Sequence, residues 1–439
     1  MTDVFSLTTS GAWRKLNRLC IDASQVKEMP VNNTQLHAIN YLSIAPYSTE
    51  DGTHYLAEVA NEDALAACNL ALYRASLLFA YKHVANKDYQ LAHEECCHAI
   101  SNLEAGLNRL GITPELERHD LTKNARGFVN SLASQAELQQ ARIKGKIASH
   151  LVFILGMHRS GTSALTGMLA HAGFSAPSDL MPASVANPKG YWESLGIMSL
   201  NEDFLAELES HWSSSLPLPA GWTESISARK WRTSLINLIS EAFGGAELAT
   251  IKDPRFCTLV MGLEPWLESR LIDISFFIPV RHPLEVSDSL LQANGTSLNK
   301  ALHLWIKSIF TTEQATRGHQ RKFINFEALI QDPANALETC LGLVESAADS
   351  ENEGSIRDYQ KTARHQIVNQ AATFIDKSLR RQHAAITKKN LTAINKSSNS
   401  RLIYLAETTF QAIIDNITDD NSISRALDKL WPSILEGSA

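Results

Sequence analysis

Between Leu151 and Leu169 the chain reads LVFILGMHRSGTSALTGML, an apolar run, a turn bounded by Gly156 and Gly161, and hydroxyl residues opening an amphipathic helix. Residues of these types in this order make an anion cradle. A buried strand ending at Leu155 delivers the turn to a helix N-terminus, where free backbone N–H groups and the positive end of the macrodipole favour bound phosphate. The two glycines let the backbone approach the anion closely. The GxxxxG spacing is that of a nucleotide-triphosphate loop, but Thr162 and Ser163 follow at once, so the lysine of GxxxxGK[ST] is missing. Arg159 is the one cation inside the turn. An arginine-bearing loop suggests a phosphate-containing donor other than ATP.

A second chemically able stretch is Val280 to Ser289, VRHPLEVSDS. Arg281 leaves the end of an apolar run, and Ser289 lies eight residues on, in the helix that Pro283 would open. In a doubly wound sheet the ligand lies beyond the carboxyl ends of the strands, so this end and the Gly156 loop can face one crevice. A guanidinium fork plus an adaptable hydroxyl suits a terminal phosphate.

The elements that must position these groups follow from periodicity. After the loop, β and α patterns alternate, which points to an α/β fold with a parallel sheet covered by helices. Strands are expected at Leu151–Leu155, Leu248–Ile251, Ile274–Val280 and Arg321–Phe326. Helices are expected at Thr258–Arg270, from Pro283 to about Ala293, and at Leu298–Thr316, with Asn294-Gly295 as a stop. Further helix is expected from about Leu402 to Leu435, broken near Asn416–Asn421. Ahead of the loop, Glu62 to Gly111 reads as a helical hairpin and Leu132 to Lys146 as another helix. This N-terminal region is a private helical extension or a surface for a protein partner or oligomer contact.

Composition bounds the rest. The 439 residues are 44% hydrophobic and 20% charged, with a formal net charge of −7, which fits a globular chain and argues against broad nucleic-acid binding. No apolar run reaches the ~20 residues of a membrane span, and the N-terminus lacks a basic start followed by an apolar stretch, so a cytoplasmic protein is expected. Six scattered cysteines do not make a disulfide framework. His93-Glu94-Glu95-Cys96-Cys97-His98 imitates the zinc helix HExxH with the second histidine one residue late. Five residues on a helix turn the imidazoles about 140° apart, so no metal site is expected there.

GMHRSGTSAL resembles the 5′-phosphosulfate loop, and RHPLEVSDS the 3′-phosphate motif, of the sulfotransferases that use 3′-phosphoadenosine 5′-phosphosulfate (PAPS). NPKGYWE (Asn187–Glu193), KDPR (Lys252–Arg255), RKFINFEALIQDP and FIDKSLRR resemble the bacterial branch of that family and its tyrosylprotein relatives. The likeness runs roughly from Ser149 to Ala385. It implies a P-loop-like sulfotransferase domain over 149–395, between a helical N-terminal region over 1–148 and a helical C-terminal tail over 396–439.

The resemblance also implies roles. Arg159, the N–H groups of Ser160, Gly161, Thr162 and Ser163, and the Thr162 and Ser163 hydroxyls would hold the 5′-phosphosulfate, with His158 alongside. Arg281 and Ser289 would hold the 3′-phosphate. Arg159 would stabilise charge on the departing phosphate, and Lys252 is the better proton donor, since arginine does not release a proton. Glu193 is the chosen base for a hydroxyl or amine acceptor, with Tyr191 and Trp192 expected to dry it. His158 and His282 are rival bases, and Asp253 with Arg255 is expected to lock the loop. No metal is implied. The acceptor, whether glycan, peptide tyrosine or metabolite, is expected among the loops Phe174–Asn187 and His211–Ser227, where Trp212 and Trp222 could wall a pocket. A P-loop phosphotransferase and an inactive helical interaction protein are the competing classes.

Overall fold

The computed structural model describes residues 89–109, 133–185, 187–269, 272–348, 364–383 and 400–437, with isolated positions 69, 73, 76, 80 and 83. The chain divides into two compact units, Met1–Ile143 with Ala220–Thr233, and Lys144–Pro219 with Ser234–Ala439.

In the first unit, helix α1 (Tyr89–Arg109) buries Ala92, Cys96, Ala99 and Ile100, positions that recur at helical spacing and make one seam. Burial pushes the Cys96 thiol well above its ordinary range. Helix α2 (133–143) supplies Ser134 and Glu137. The fully buried Arg232 donates to Ser134 Oγ (2.9 Å) and the Thr223 carbonyl (3.1 Å), and Glu137 accepts from the Thr233 hydroxyl at 2.6 Å. Most of the first arm of the expected hairpin lies outside the described residues. Among the described residues, no group of three or more side chains could hold a metal ion, and no helix is long and apolar enough to cross a membrane.

The second unit is built on a parallel sheet of β1 (His150–Ile154), β2 (Leu248–Lys252), β3 (Asp273–Val280) and β4 (Gln320–Asn325), in the order β2-β1-β3-β4. Side chains alternate across it. Val152 and Ile154 of β1 face a core with Leu165, Met168 and Leu169 of α3 (Thr162–His171) and Leu337 and Leu341 of a later helix. Phe153 faces the other side, with Phe256 edge-on at 5.2 Å and Phe276 at 5.9 Å. Both faces are covered, which is the usual condition of a parallel sheet.

The connecting helices are α4 (Leu195–Glu207), α5 (Ile226–Phe243), α6 (Pro283–Asn294), α7 (Leu298–Thr316), α8 (Phe326–Gln331), α9 (Pro333–Ala348), α10 (Arg364–Ala372), α11 (Ser400–Asp415) and α12 (Asp420–Gly437). One expected helix is broken. In place of a single helix over Thr258–Arg270 there are short turns at Phe256–Leu259, Val260–Leu263 and Glu264–Ser269. Pro265 has no N–H to give Met261, so the α-ladder cannot run through it, and the 3₁₀ turn takes up the passage.

The C-terminal helices belong to this unit through a buried charge network. Arg321 of β4 donates to Glu313 Oε1 (2.9 Å), Ser424 Oγ (2.9 Å) and Asp420 Oδ2 (2.7 Å). Burial raises the Glu313 carboxyl, but hydrogen bonds from Arg317, Ser424 and Arg321 outweigh it and hold the group below the usual carboxylate range.

Candidate active site

The strand order reverses at β1, whose neighbours β2 and β3 lie on either side, so their carboxyl ends flank the Gly156 loop. Register fixes this closely, because Ile154 pairs with Lys252 on one side and with Phe277 on the other. The loop itself is conformationally demanding. Arg159 has φ 72° and Gly161 φ 93°, both left-handed, and a Cβ on Gly161 would collide with the Phe326 ring. Gly161 is the N-cap of α3 and brings no side chain to cap it. The first N–H groups of that helix therefore have no intrahelical acceptor. Of the four N–H groups expected in the cradle, that of Ser160 turns back to the Met157 carbonyl at 3.1 Å.

Arg159 Nε donates to Ser289 Oγ at 2.9 Å, and Arg281 Nη1 donates to the Arg159 carbonyl at 3.1 Å. The loop after β1 and the strand end of β3 thus share one wall. Arg281 is buried over the Phe326 ring at 4.6 Å and also donates from Nε to Glu285 Oε2 at 2.9 Å and from Nη2 to Gln382 Oε1 at 3.3 Å. Arg380 reaches the other Glu285 oxygen at 2.9 Å. Glu285, Arg380 and Gln382 were not singled out from the sequence. The spacing of Arg281 and Glu285, four apart at a helix start, was the available signal for one of them.

On the opposite wall Lys252 Nζ forms an ion pair with Glu193 Oε1, with both side chains buried. The same Nζ donates to the Tyr191 carbonyl (3.1 Å) and Ser163 Oγ (3.4 Å), and Ser163 Oγ donates to that carbonyl at 3.2 Å. Arg255 Nη1 lies 3.6 Å from Glu193 Oε2 and 2.8 Å from Asp253 Oδ1, which is the expected loop lock, and Asn201 Nδ2 donates to Asp253 Oδ2 at 2.8 Å. Burial raises the Glu193 carboxyl above its ordinary value, opposed by the Lys252 and Arg255 charges.

Trp192 does not dry that carboxylate. It sits at φ 61° and turns its ring toward Phe374 (5.7 Å) and His171 (6.2 Å). The Tyr191 hydroxyl pairs with Ser184 Oγ at 2.7 Å.

The histidines differ sharply. His282 is the N-cap of α6, its Nδ1 accepting from Leu284 N–H at 3.3 Å, with its ring 5.0 Å from Phe410. That is a capping and packing role. His158 packs its ring 4.5 Å from Trp212, and its Nε2 is buried with no hydrogen-bond partner among the described residues. Burial first, then the charges of Lys252, Arg255 and Arg159, pull its pKa down to about 3. Trp222 is buried in the first unit.

Fold and site together define an α/β protein with a strand–loop–helix turn after β1 and a buried Lys–Glu pair beside it. No family model matches the chain, and no curated protein does. Among solved structures it is similar to the sulfotransferase domain of the Synechococcus PCC 7002 olefin synthase, at 17% identity and TM-score 0.34 over 60% of this chain and 95% of that one. It is also similar to a sulfotransferase domain of the curacin biosynthetic pathway, at 16% identity and TM-score 0.28, over 55% and 96%. A sulfotransferase from Mycobacterium tuberculosis aligns at 14% identity and TM-score 0.30, over 86% and 98%. Likenesses this distant assign no role to any residue.

Proposed function

We propose that the protein transfers a sulfuryl group from PAPS to a hydroxyl acceptor. The observation that carries the reading is the convergence of Arg159, Ser289 and Arg281. A guanidinium with a serine hydroxyl at 2.9 Å, and a second guanidinium, ion-paired to Glu285, at 3.1 Å from the loop carbonyl, bring two cations to neighbouring strand ends. A donor with phosphate at both ends of its ribose needs two such cations.

The residues present fit that donor. The uncapped start of α3, Arg159 and the Thr162 and Ser163 hydroxyls would take the 5′ end, and Arg281 with Ser289 the 3′-phosphate. When bound, PAPS supplies an activated sulfur whose bond to the 5′-phosphate oxygen breaks as the acceptor oxygen bonds to it. Arg159 and the helix N-terminus stabilise negative charge growing on the departing phosphate. Glu193 takes the acceptor's proton, and its raised pKa brings it closer to a useful base. Lys252, which touches both Glu193 and Ser163, would give a proton to the leaving oxygen.

Equilibrium binding tests this. Tight adenosine 3′,5′-bisphosphate with weak ATP supports sulfuryl transfer. The reverse order supports a phosphotransferase, and binding of neither supports a helical interaction protein.

A further inference from the structure

We infer that His158 and Trp212 form the acceptor end of this site, taking an uncharged hydroxyl carried on a flat apolar ring and disfavouring a cationic amine. This rests on the sulfuryl-transfer reading above.

His158 belongs to the cradle loop, yet its ring faces Trp212 at 4.5 Å and its buried Nε2 has no partner among the described residues. A buried ring nitrogen left without a partner is costly, and a ligand hydroxyl beside it would remove that cost. Burial, with the charges of Lys252, Arg255 and Arg159 adding to it, holds the ring's pKa well below its ordinary value and so keeps it neutral. A neutral imidazole nitrogen presents either one N–H or one lone pair, and a hydroxyl answers both because it donates and accepts. An ammonium only donates, and bringing its charge against the half-buried indole costs desolvation that an uncharged hydroxyl avoids.

Trp212 is held rather than left free. Lys307 of α7 donates from Nζ to the Ser214 carbonyl (2.9 Å) and the Leu216 carbonyl (2.6 Å), pinning the segment that follows Trp212. Ser213 Oγ and His211 Nδ1 close the turn around it at 3.0 Å. A half-buried indole fixed in this way is a preorganised face for a ring.

Calorimetry on the full chain, saturated with adenosine 3′,5′-bisphosphate, reads the inference with two probes, 2-naphthylmethanol and 2-naphthylmethylamine. The alcohol is expected to bind at least about tenfold more tightly than the amine, the desolvation of a charge being the difference. His158→Phe keeps a ring against Trp212 and removes Nε2, and is expected to cut alcohol affinity about fivefold. His158→Gln, which restores a hydrogen-bonding group, should recover part of it, and Trp212→Ala should weaken both probes. A far-UV circular dichroism spectrum and a thermal midpoint close to the parent's report that each variant is folded. Equal affinity for the two probes, no binding of the alcohol, or variants that bind it like the parent overturns the inference. Failure of the bisphosphate to bind the parent removes the donor reading instead, and the same probe series without bisphosphate then decides the subsite.

Discussion

Lys252 Nζ and the Glu193 carboxylate form a buried ion pair that is also tied to the first turn of α3, through a 3.4 Å hydrogen bond from Nζ to Ser163 Oγ. The group that would take a proton and the group that would give one are therefore held against each other. Neither reaches solvent to any extent, at 6% and 3% side-chain exposure.

Glu193→Gln removes the proton acceptor but keeps an oxygen for Lys252. Turnover of labelled donor is expected to fall about 10²–10⁴-fold, with adenosine 3′,5′-bisphosphate affinity little changed. Parent-like turnover in this variant eliminates Glu193 as the base.

Lys252→Met leaves a buried carboxylate with Arg255 as its remaining cation. Breaking a buried pair in this way costs about 3–5 kcal/mol, so denaturant titration should show a large loss of stability. An unchanged midpoint would mean that Glu193 is neutral in the folded protein.

Arg281→Ala should weaken adenosine 3′,5′-bisphosphate by about 1.5–3 kcal/mol, the worth of hydrogen bonds to a charged group. Adenosine 5′-phosphosulfate, which lacks the 3′-phosphate, should bind parent and variant alike. Glu285 keeps Arg380 as a partner at 2.9 Å, so the fold should survive. Equal losses for both nucleotides would remove the 3′-phosphate assignment.

Gly161→Ala combines left-handed strain at φ 93° with a collision against the Phe326 ring. Gly295→Ala carries similar strain at φ 73° but meets nothing within 4 Å. Thermal melts should therefore show Gly295→Ala down by about 1 kcal/mol and Gly161→Ala down by clearly more. Matching losses would mean that the loop relaxes away from Phe326.

His150 is buried on β1, with Nε2 2.8 Å from Ser275 Oγ, and burial pulls its pKa down to about 4 from an ordinary 6.5. The unfolded chain takes up this proton at the higher value and the folded chain only near the lower one. Its contribution to stability therefore falls as pH drops from about 6.5 to about 4, by roughly 1.4 kcal/mol per pH unit, and is flat below that window. Denaturant midpoints measured from pH 7 to 4 should fall less steeply in His150→Gln, and parallel curves would refute the assignment.

Much of the sheet was legible in the sequence. All four strands fall within a residue or two of expectation; β1 and β3 show as continuous apolar stretches because they are buried along nearly their whole length, whereas β4, QRKFIN, buries only Arg321, Phe323 and Ile324. The helices around the GYWE turn were less visible. Helix α4 follows Ser194, whose hydroxyl accepts from Ile197 N–H at 3.1 Å, a capping signal that a single serine does not announce. The split of the helix after Phe256 was readable from Gly262 and Pro265, had those two residues been weighed against the apolar spacing.

By itself the sequence determined the strand–loop–helix, its glycine pair, its arginine in place of a lysine, and the Arg281 to Ser289 step, since these are local matters of residue type and spacing. Only the tertiary structure decided that Arg159 and Arg281 share a wall and that Lys252 closes on Glu193. It alone separated His282, a helix cap, from His158, a buried nitrogen beside three cations. The first two relations join residues 122 and 59 positions apart. They depend on strand order and register, which local spacing does not encode.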